Sequence, residues 1–537
     1  MQAERNIRKI IEEIIRKEVG ADAHFTVSVP EIAGRGDYAS NVAFILAKKE
    51  GKSPIAVAEG LAEKIFEKHQ DTFYSIQVAQ PGFLNFFLSS AFVGQMIQET
   101  LKPEKKKKRG TVSVEFVSAN PTGPIHVGNA RGGPLGDTIS NIIEATGWKV
   151  TREYFHNDAG AQITKLENSL WHWYLVACKI PSQLPEEGYE GEYIKEIARA
   201  AFRKYKKTLL KKKNGKSVLA ELALKKFWVE NFATLKKLGI KFDKIIKESV
   251  LAKNKTKKVL DELRRKKMLI EKEGAVWYAP HDEFLKDRET VVAKADGTLL
   301  YFANDIAYHK EKFAKNDFVL DVFGEGHEGH IPKLKSIAHT FGFPLDHFHV
   351  AMYGQVNLIK NGEVVTMSKR KGNFVTAEEV LKEVGKDAFR FFMLQYAPRS
   401  GMQFDMTLAK KHSKDNPVYY VQYAYARAAG ILRKSKKRID LKKAKWELCE
   451  SEREATLLKH ILQFQGVLDD TAVDFEVQRL TRYVYELART FTSFYETTKV
   501  IGGGREVEYA RLGLALLAKQ TIERTLKLLG VSAPERM

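Results

Sequence analysis

The chain has 537 residues, too many for one compact core and enough for about three domains. A hydrophobic fraction of 44% is ordinary for a globular protein, and no apolar run approaches membrane length, so no membrane-spanning helix is expected. Lys plus Arg number 88 against 67 Asp plus Glu, a net charge of +21 that suits a polyanionic partner or else reflects a general lysine bias. Cys178 and Cys449 lie far apart and form neither a CxxC zinc pattern nor a disulfide framework, so a reducing cytoplasm is the expected location.

Residues 1–104 read as a small α+β unit. Ile7, Ile10, Ile11, Ile14 and Ile15 share one face of an amphipathic helix, and the charges between them argue against a signal peptide or membrane span. FTVSVP (25–30) predicts a strand, 54–69 a helix, and QPGFLNFFL (80–88) a loop following a short strand. Phe83 in that loop reads as core or as an exposed aromatic. Lys105 to Arg109 form a basic linker to the next unit.

In the second unit, 110–400, strands and helices alternate as in a doubly wound parallel sheet, whose site lies at the strands' C-terminal ends. A lysine-rich helical stretch, about 165–250, interrupts it as an insertion. The unit opens with VSVEFVSANPTGPIHVGN (112–129). Val112, Val114 and Phe116 alternate as a strand, two prolines and a glycine stop it, and Ile139, Ile142 and Ile143 follow at helical spacing. A strand, a tight loop and a helix start place backbone N–H groups where phosphate can sit. His126 there can donate to phosphoryl oxygens, and Gly128 lets a flat ring approach the backbone. About 240 residues later the basic segment Met367-Ser368-Lys369-Arg370-Lys371, flanked by Gly362 and Gly372, has the make-up of a loop that closes on a triphosphate. DFVLDVF (317–323) predicts another strand, followed by Gly324-Glu325-Gly326-His327-Glu328-Gly329-His330. That histidine cluster invites a metal reading, but no cysteine accompanies it as zinc would favour.

From 401 to 537 the pattern is helical. Tyr419, Tyr420, Tyr423 and Tyr425 cluster at a helix start, and 457–468, 480–499 and 510–529 carry helical periodicity with glycines at their ends. This predicts an α-helical bundle whose tyrosines either pack inside or stack on bases.

The segments HVGN (126–129) and MSKRK (367–371) resemble the two signatures of class I aminoacyl-tRNA synthetases. With REYFHNDAG (152–160), MSKRKGNFVT (367–376) and NPVYYVQYAYAR (416–427), the whole chain resembles the arginyl-tRNA synthetase family. The resemblance implies a Rossmann-type catalytic domain, an N-terminal domain touching the tRNA elbow and a helical domain reading the anticodon. It implies ATP with Mg²⁺, L-arginine and tRNA(Arg) as partners, no protein-bound metal, no membrane, and a monomer. His126, Asn129 and Lys369 would be catalytic, and ATP would also meet Gly128, Gly324, His327, Met367 and Ser368. Arginine would be held by Glu115, Asn120, Glu248, Tyr301 and Asp305. Tyr301 and Asp305 are four apart, so both reach one helix face. A planar, permanent cation needs such carboxylates. The tRNA would meet Phe83, Asn85, Tyr423, Tyr495 and Met537. The family usually needs bound tRNA to activate arginine, and no editing domain is expected because a guanidinium is distinctive. Two departures stand out. Asn129 replaces the second histidine of the first signature, and Thr366 replaces the first lysine of the second. They keep open a silent tRNA binder, while a small-molecule nucleotidyltransferase would have no use for the bundle.

Overall fold

The computed structural model describes residues 7–30, 34–102, 108–286, 288–365 and 374–537. Helix α1 (Ile7–Val19) buries Ile7, Ile11, Ile14 and Ile15. Each such side chain removed from water contributes about 1.5–3 kcal/mol. Strands β1 (Val27–Ser28), β2 (Tyr38–Ser40), β3 (Phe73–Ala79) and β4 (Phe83–Leu88) form an antiparallel sheet in the order β1-β2-β4-β3. The expected loop over 80–88 is therefore corrected. Pro81-Gly82 make the turn, and Leu84, Phe86 and Leu88 alternate inward to make a strand. The turn residues dominate the local signal, whereas the aromatic alternation behind them decides the pairing.

The second unit is built on five parallel strands: β5 (Thr111–Glu115), β6 (Lys149–His156), β7 (Lys244–Lys247), β8 (Phe318–Gly324) and β9 (Phe348–Tyr353). Their order is β9-β8-β5-β6-β7, so the chain winds outward from β5 in both directions. The loops after β5 and β8 diverge, leaving a crevice at their C-terminal ends. Helix α2 (Gly132–Ala145) follows β5 and is buried along most of its length, as a helix packed against a sheet must be. Three further helices, Ala161–Ala177, Glu192–Tyr205 and Gly215–Lys237, form the insertion between β6 and β7 and hold their own apolar cluster. Helix α3 (Tyr301–Lys315) leads directly into β8 and lies over the sheet face beneath the crevice.

The third unit contains four long helices: α4 (Pro417–Ser435), α5 (Glu452–Asp474), α6 (Gln478–Thr497) and α7 (Arg505–Leu529). One contiguous core runs from the N-terminal unit through the sheet into these helices. Arg390, fully buried, staples the units together. It donates to Asp137 of α2 at 2.6 Å, to Leu529 O at the end of α7 at 2.8 Å and to Leu238 O after the insertion at 3.0 Å. On the other side, Arg8 of α1 meets Asp470 of α5 at 2.6 Å.

Candidate active site in the crevice

The loop after β5 is strained before it reaches His126. Val117 and Ser118 adopt positive φ of 69° and 34°, conformations that non-glycine residues avoid unless the surroundings impose them. His126 then caps the helical turn Val127–Ala130. Its Nδ1 accepts from the N–H groups of Gly128 at 3.0 Å and Asn129 at 3.4 Å. An imidazole that accepts at Nδ1 carries its hydrogen on Nε2, so the ring is a donor on that side. A Cβ on Gly128 would stand 2.9 Å from His126 Cε1, so only glycine permits this cap.

The chain beyond the second basic motif is tied to the same turn. Val127 N–H donates to Val375 O at 3.1 Å and Ala377 N–H to Ile125 O at 2.8 Å, while the Phe374 ring lies 6.2 Å from that of His126. Met367, Ser368 and Lys369 themselves, with Thr366, Arg370 and Lys371, lie outside the described residues. A cavity of about 570 Å³ opens here, lined by His126, Gly128, Asn129, Gly324, Tyr353 and Phe374 among others. That volume suits a nucleotide-sized ligand. His327 stands on the turn Glu325–His330 beyond the wall, its ring 5.5 Å from Phe323, and is not among the lining residues. Arg131, missed in the sequence, lies directly behind. Its buried guanidinium donates to the carbonyls of Gly354 (3.0 Å), Ser400 (2.7 Å) and Ala397 (3.0 Å), and burial pushes its pKa down to about 10.

Beside this cavity the sheet register places Asp321, Glu115, Glu153 and Lys244 abreast on β8, β5, β6 and β7. Helix α3 covers the row. Lys312 Nζ donates to Glu115 at 2.7 Å and also to Asp321, Tyr308 OH donates to Glu153 at 2.9 Å, and His309 Nε2 lies 3.0 Å from Asp321. Burial disfavours the Lys312 ammonium, but Asp321 and Glu115 more than compensate and hold its pKa above the ordinary value. Glu115, His309 and Asp321 are the one group among the described residues tight enough to hold a metal ion. The Lys312 ammonium already supplies the cation there.

One turn earlier, Asp305 is buried with the Tyr301 hydroxyl hydrogen-bonded to it. Burial, and then the nearby Glu115 and Glu248 carboxylates, hold Asp305 well above the ordinary carboxylate range. Glu248 accepts from Asn304 Nδ2 at 3.0 Å, and burial raises its pKa too. The fold thus brings Glu115, Glu248, Tyr301 and Asp305 into one pocket with more buried carboxylates than cations, which suits a cationic ligand. Asn120 projects at the mouth, its Oδ1 accepting from Asn157 Nδ2 at 2.9 Å. Asn157, Asn304 and Lys312 were missed. Nothing in REYFHNDAG marks its asparagine as a site residue, and nothing local marks a lysine for burial.

The other candidates lie away from the crevice. Phe83, 40% exposed, packs edge-on against Phe44 at 5.0 Å, and Asn85 on the same face of β4 is buried. Tyr423 and Tyr495 flank one residue the sequence reading overlooked, Arg427. Its guanidinium lies 5.1 Å and 4.9 Å from the two ring centres and donates to the Tyr423 hydroxyl. Met537 is exposed at the end of the chain.

Three family models match the chain: "Arginyl tRNA synthetase N terminal domain" over 2–88, "tRNA synthetases class I (R), catalytic domain" over 92–399, and "DALR anticodon binding domain" over 421–537. The arginine–tRNA ligase of Citrifermentans bemidjiense is 39% identical over 527 residues, covering 95% of this chain and 94% of that protein. That of Thermotoga maritima is 38% identical over 549 residues, covering 99% of each. In fold, the chain is similar to Thermus thermophilus arginyl-tRNA synthetase, with a TM-score of 0.77 at 22% identity over 99% of this chain and 100% of that one.

Proposed function

This chain belongs to the arginyl-tRNA synthetase family, and we propose that its crevice carries the family's reaction on the residues placed above. The protein ligates L-arginine to tRNA(Arg) at the expense of ATP, in two steps. The arginine carboxylate attacks the α-phosphorus of ATP, giving arginyl-adenylate and pyrophosphate. The arginyl group then passes to the 2′-hydroxyl of the terminal adenosine of the tRNA, the acyl–phosphate bond breaking to release AMP.

In our reading, ATP lies in the cavity lined by His126, Gly128, Asn129 and Gly324, entering as its magnesium complex, with the ion held on phosphate oxygens. His126 Nε2–H and the Asn129 amide donate to the phosphoryl charge as it develops. The step needs charge stabilisation and not acid transfer, so a neutral amide serves. Met367, Ser368 and Lys369 would add the second motif's share. His327 would act from the rim. Tyr301, Asp305 and Glu248 take the guanidinium, while Glu115 and Asn120 hold the backbone end of arginine. Phe83 and Asn85 meet the tRNA elbow, and Tyr423, Tyr495 and Met537 meet the anticodon. We assign residues 1–104 to the elbow-binding domain, 110–400 to catalysis and 401–537 to anticodon binding. No described helix is long and apolar enough to cross a membrane. A cytoplasmic monomer that activates arginine only with tRNA bound completes the reading.

The observation that carries these assignments is the buried acidic pocket directly beside a nucleotide-sized cavity. Arginine-dependent ATP–pyrophosphate exchange, run with and without tRNA, tests them. Exchange appearing only with tRNA is expected. Exchange without tRNA would remove the coupling, and none in either case would sink the catalytic assignment.

A further inference from the structure

The turn after β5 and the end of β6 meet at a pair of amides. Asn157 Nδ2 donates to Asn120 Oδ1 at 2.9 Å, and the Oδ1 of Asn157 is buried without a partner among the described residues. Asn157 itself stands between two pinned neighbours. The His156 ring is wedged edge-on against Trp228 at 4.5 Å, and Asp158 accepts from both N and Oγ of Ser249, each at 2.8 Å. Asn120, in contrast, is exposed at the mouth of the pocket. An exposed asparagine samples several rotamers and presents either end of its amide, and fixing one arrangement costs rotamer entropy. The bond from Asn157 removes that freedom. With Oδ1 engaged, the N–H groups of Asn120 are the end left for a ligand.

We propose that Asn157 is a positioning residue for the amino-acid substrate. It holds Asn120 with its N–H groups outward, so that Asn120 grips an anionic oxygen, the α-carboxylate that must attack ATP, and not the α-ammonium. This rests on the arginine site proposed above and adds the polarity of the contact to it. One oxygen of the carboxylate is held by the amide while the other is free to approach phosphorus. Pre-orientation of this kind is what binding energy can supply to a displacement reaction.

Calorimetric titration of the full chain with L-arginine and with agmatine, which keeps the guanidinium and lacks the carboxylate, tests the assignment. Asn157→Ala should weaken arginine about tenfold, the scale of one well-made hydrogen bond, and leave agmatine within about twofold. The same change in an Asn120→Ala background should cost nothing more, because the two residues act as one unit. Asn157→Asp keeps the size but cannot donate, so it should behave as the alanine variant does. An equal loss for agmatine, full additivity with Asn120→Ala, or wild-type affinity in Asn157→Asp would each overturn the positioning role alone. A wild-type protein that binds neither compound would remove the arginine site, and the role with it.

Discussion

Replacing Asp305 by asparagine separates what this pocket does for the substrate from what it does for the fold. The side chain keeps its shape and can still meet the Tyr301 hydroxyl, so only the charge goes. Loss of one partner from a buried charge pair typically costs 2–5 kcal/mol. In the empty pocket, burial and the Glu115 and Glu248 carboxylates favour the protonated form of Asp305, so part of the pairing energy goes into releasing that proton. The lower part of the range therefore applies, about 2–3 kcal/mol, or ~30- to 150-fold in kcat/KM for arginine. The KM for ATP should not move. Thermal stability should hold or rise, because the variant no longer confines a titrating carboxyl among other acids. Steady-state aminoacylation with calorimetric unfolding reads both effects. Retention of kcat/KM within about threefold, or a clear fall in Tm, would refute the assignment of Asp305 to the guanidinium.

The same carboxyl predicts a pH dependence. Its folded pKa lies above the ordinary value, so the KM for arginine should fall as pH rises through the folded pKa, and Asp305→Asn should flatten that limb. The sign for stability is opposite: between the ordinary and the raised pKa the folded state binds more protons, so Asp305 makes folding less favourable as pH increases. Gly530→Ala should be severe. Gly530 has φ of 68°, and a Cβ there would fall 2.3 Å from Arg390 Cζ. The left-handed backbone costs about 1–2 kcal/mol and displacing the buried guanidinium several more, so a Tm drop beyond ~5 °C is expected by calorimetry. Arg427→Ala should weaken tRNA binding about tenfold in filter binding, in line with the loss of one stacking contact, and leave the KM for arginine unchanged.

What was legible in the sequence was local. Alternation, a proline–glycine stop and helical spacing locate β5, its loop and α2, and a spacing of four puts Tyr301 and Asp305 on one face of α3. The bundle helices are likewise visible from periodicity alone. What stayed hidden depends on register. Asp321, Glu115 and Glu153 come from segments far apart in sequence and become neighbours only when three strands align. Lys312 reads as an ordinary surface lysine of an amphipathic helix until that row of acids is placed beneath it. Arg131 and Arg390 are equally silent, because a guanidinium buried against carbonyls has no sequence pattern.

Arg131 has an effect that reaches beyond its hydrogen bonds. Among the described residues no carboxylate lies within ion-pair distance, and the carbonyls that hold its guanidinium neutralise none of its unit charge. The nucleotide cavity, whose wall also carries Glu325, therefore has a cation set behind it inside the protein, where salt cannot gather around it. The exposed lysines that give the chain its excess charge lie in the solvent and are screened. The two anionic substrates should then respond differently to ionic strength: added salt loosens the polynucleotide steeply, whereas the nucleotide keeps most of its grip.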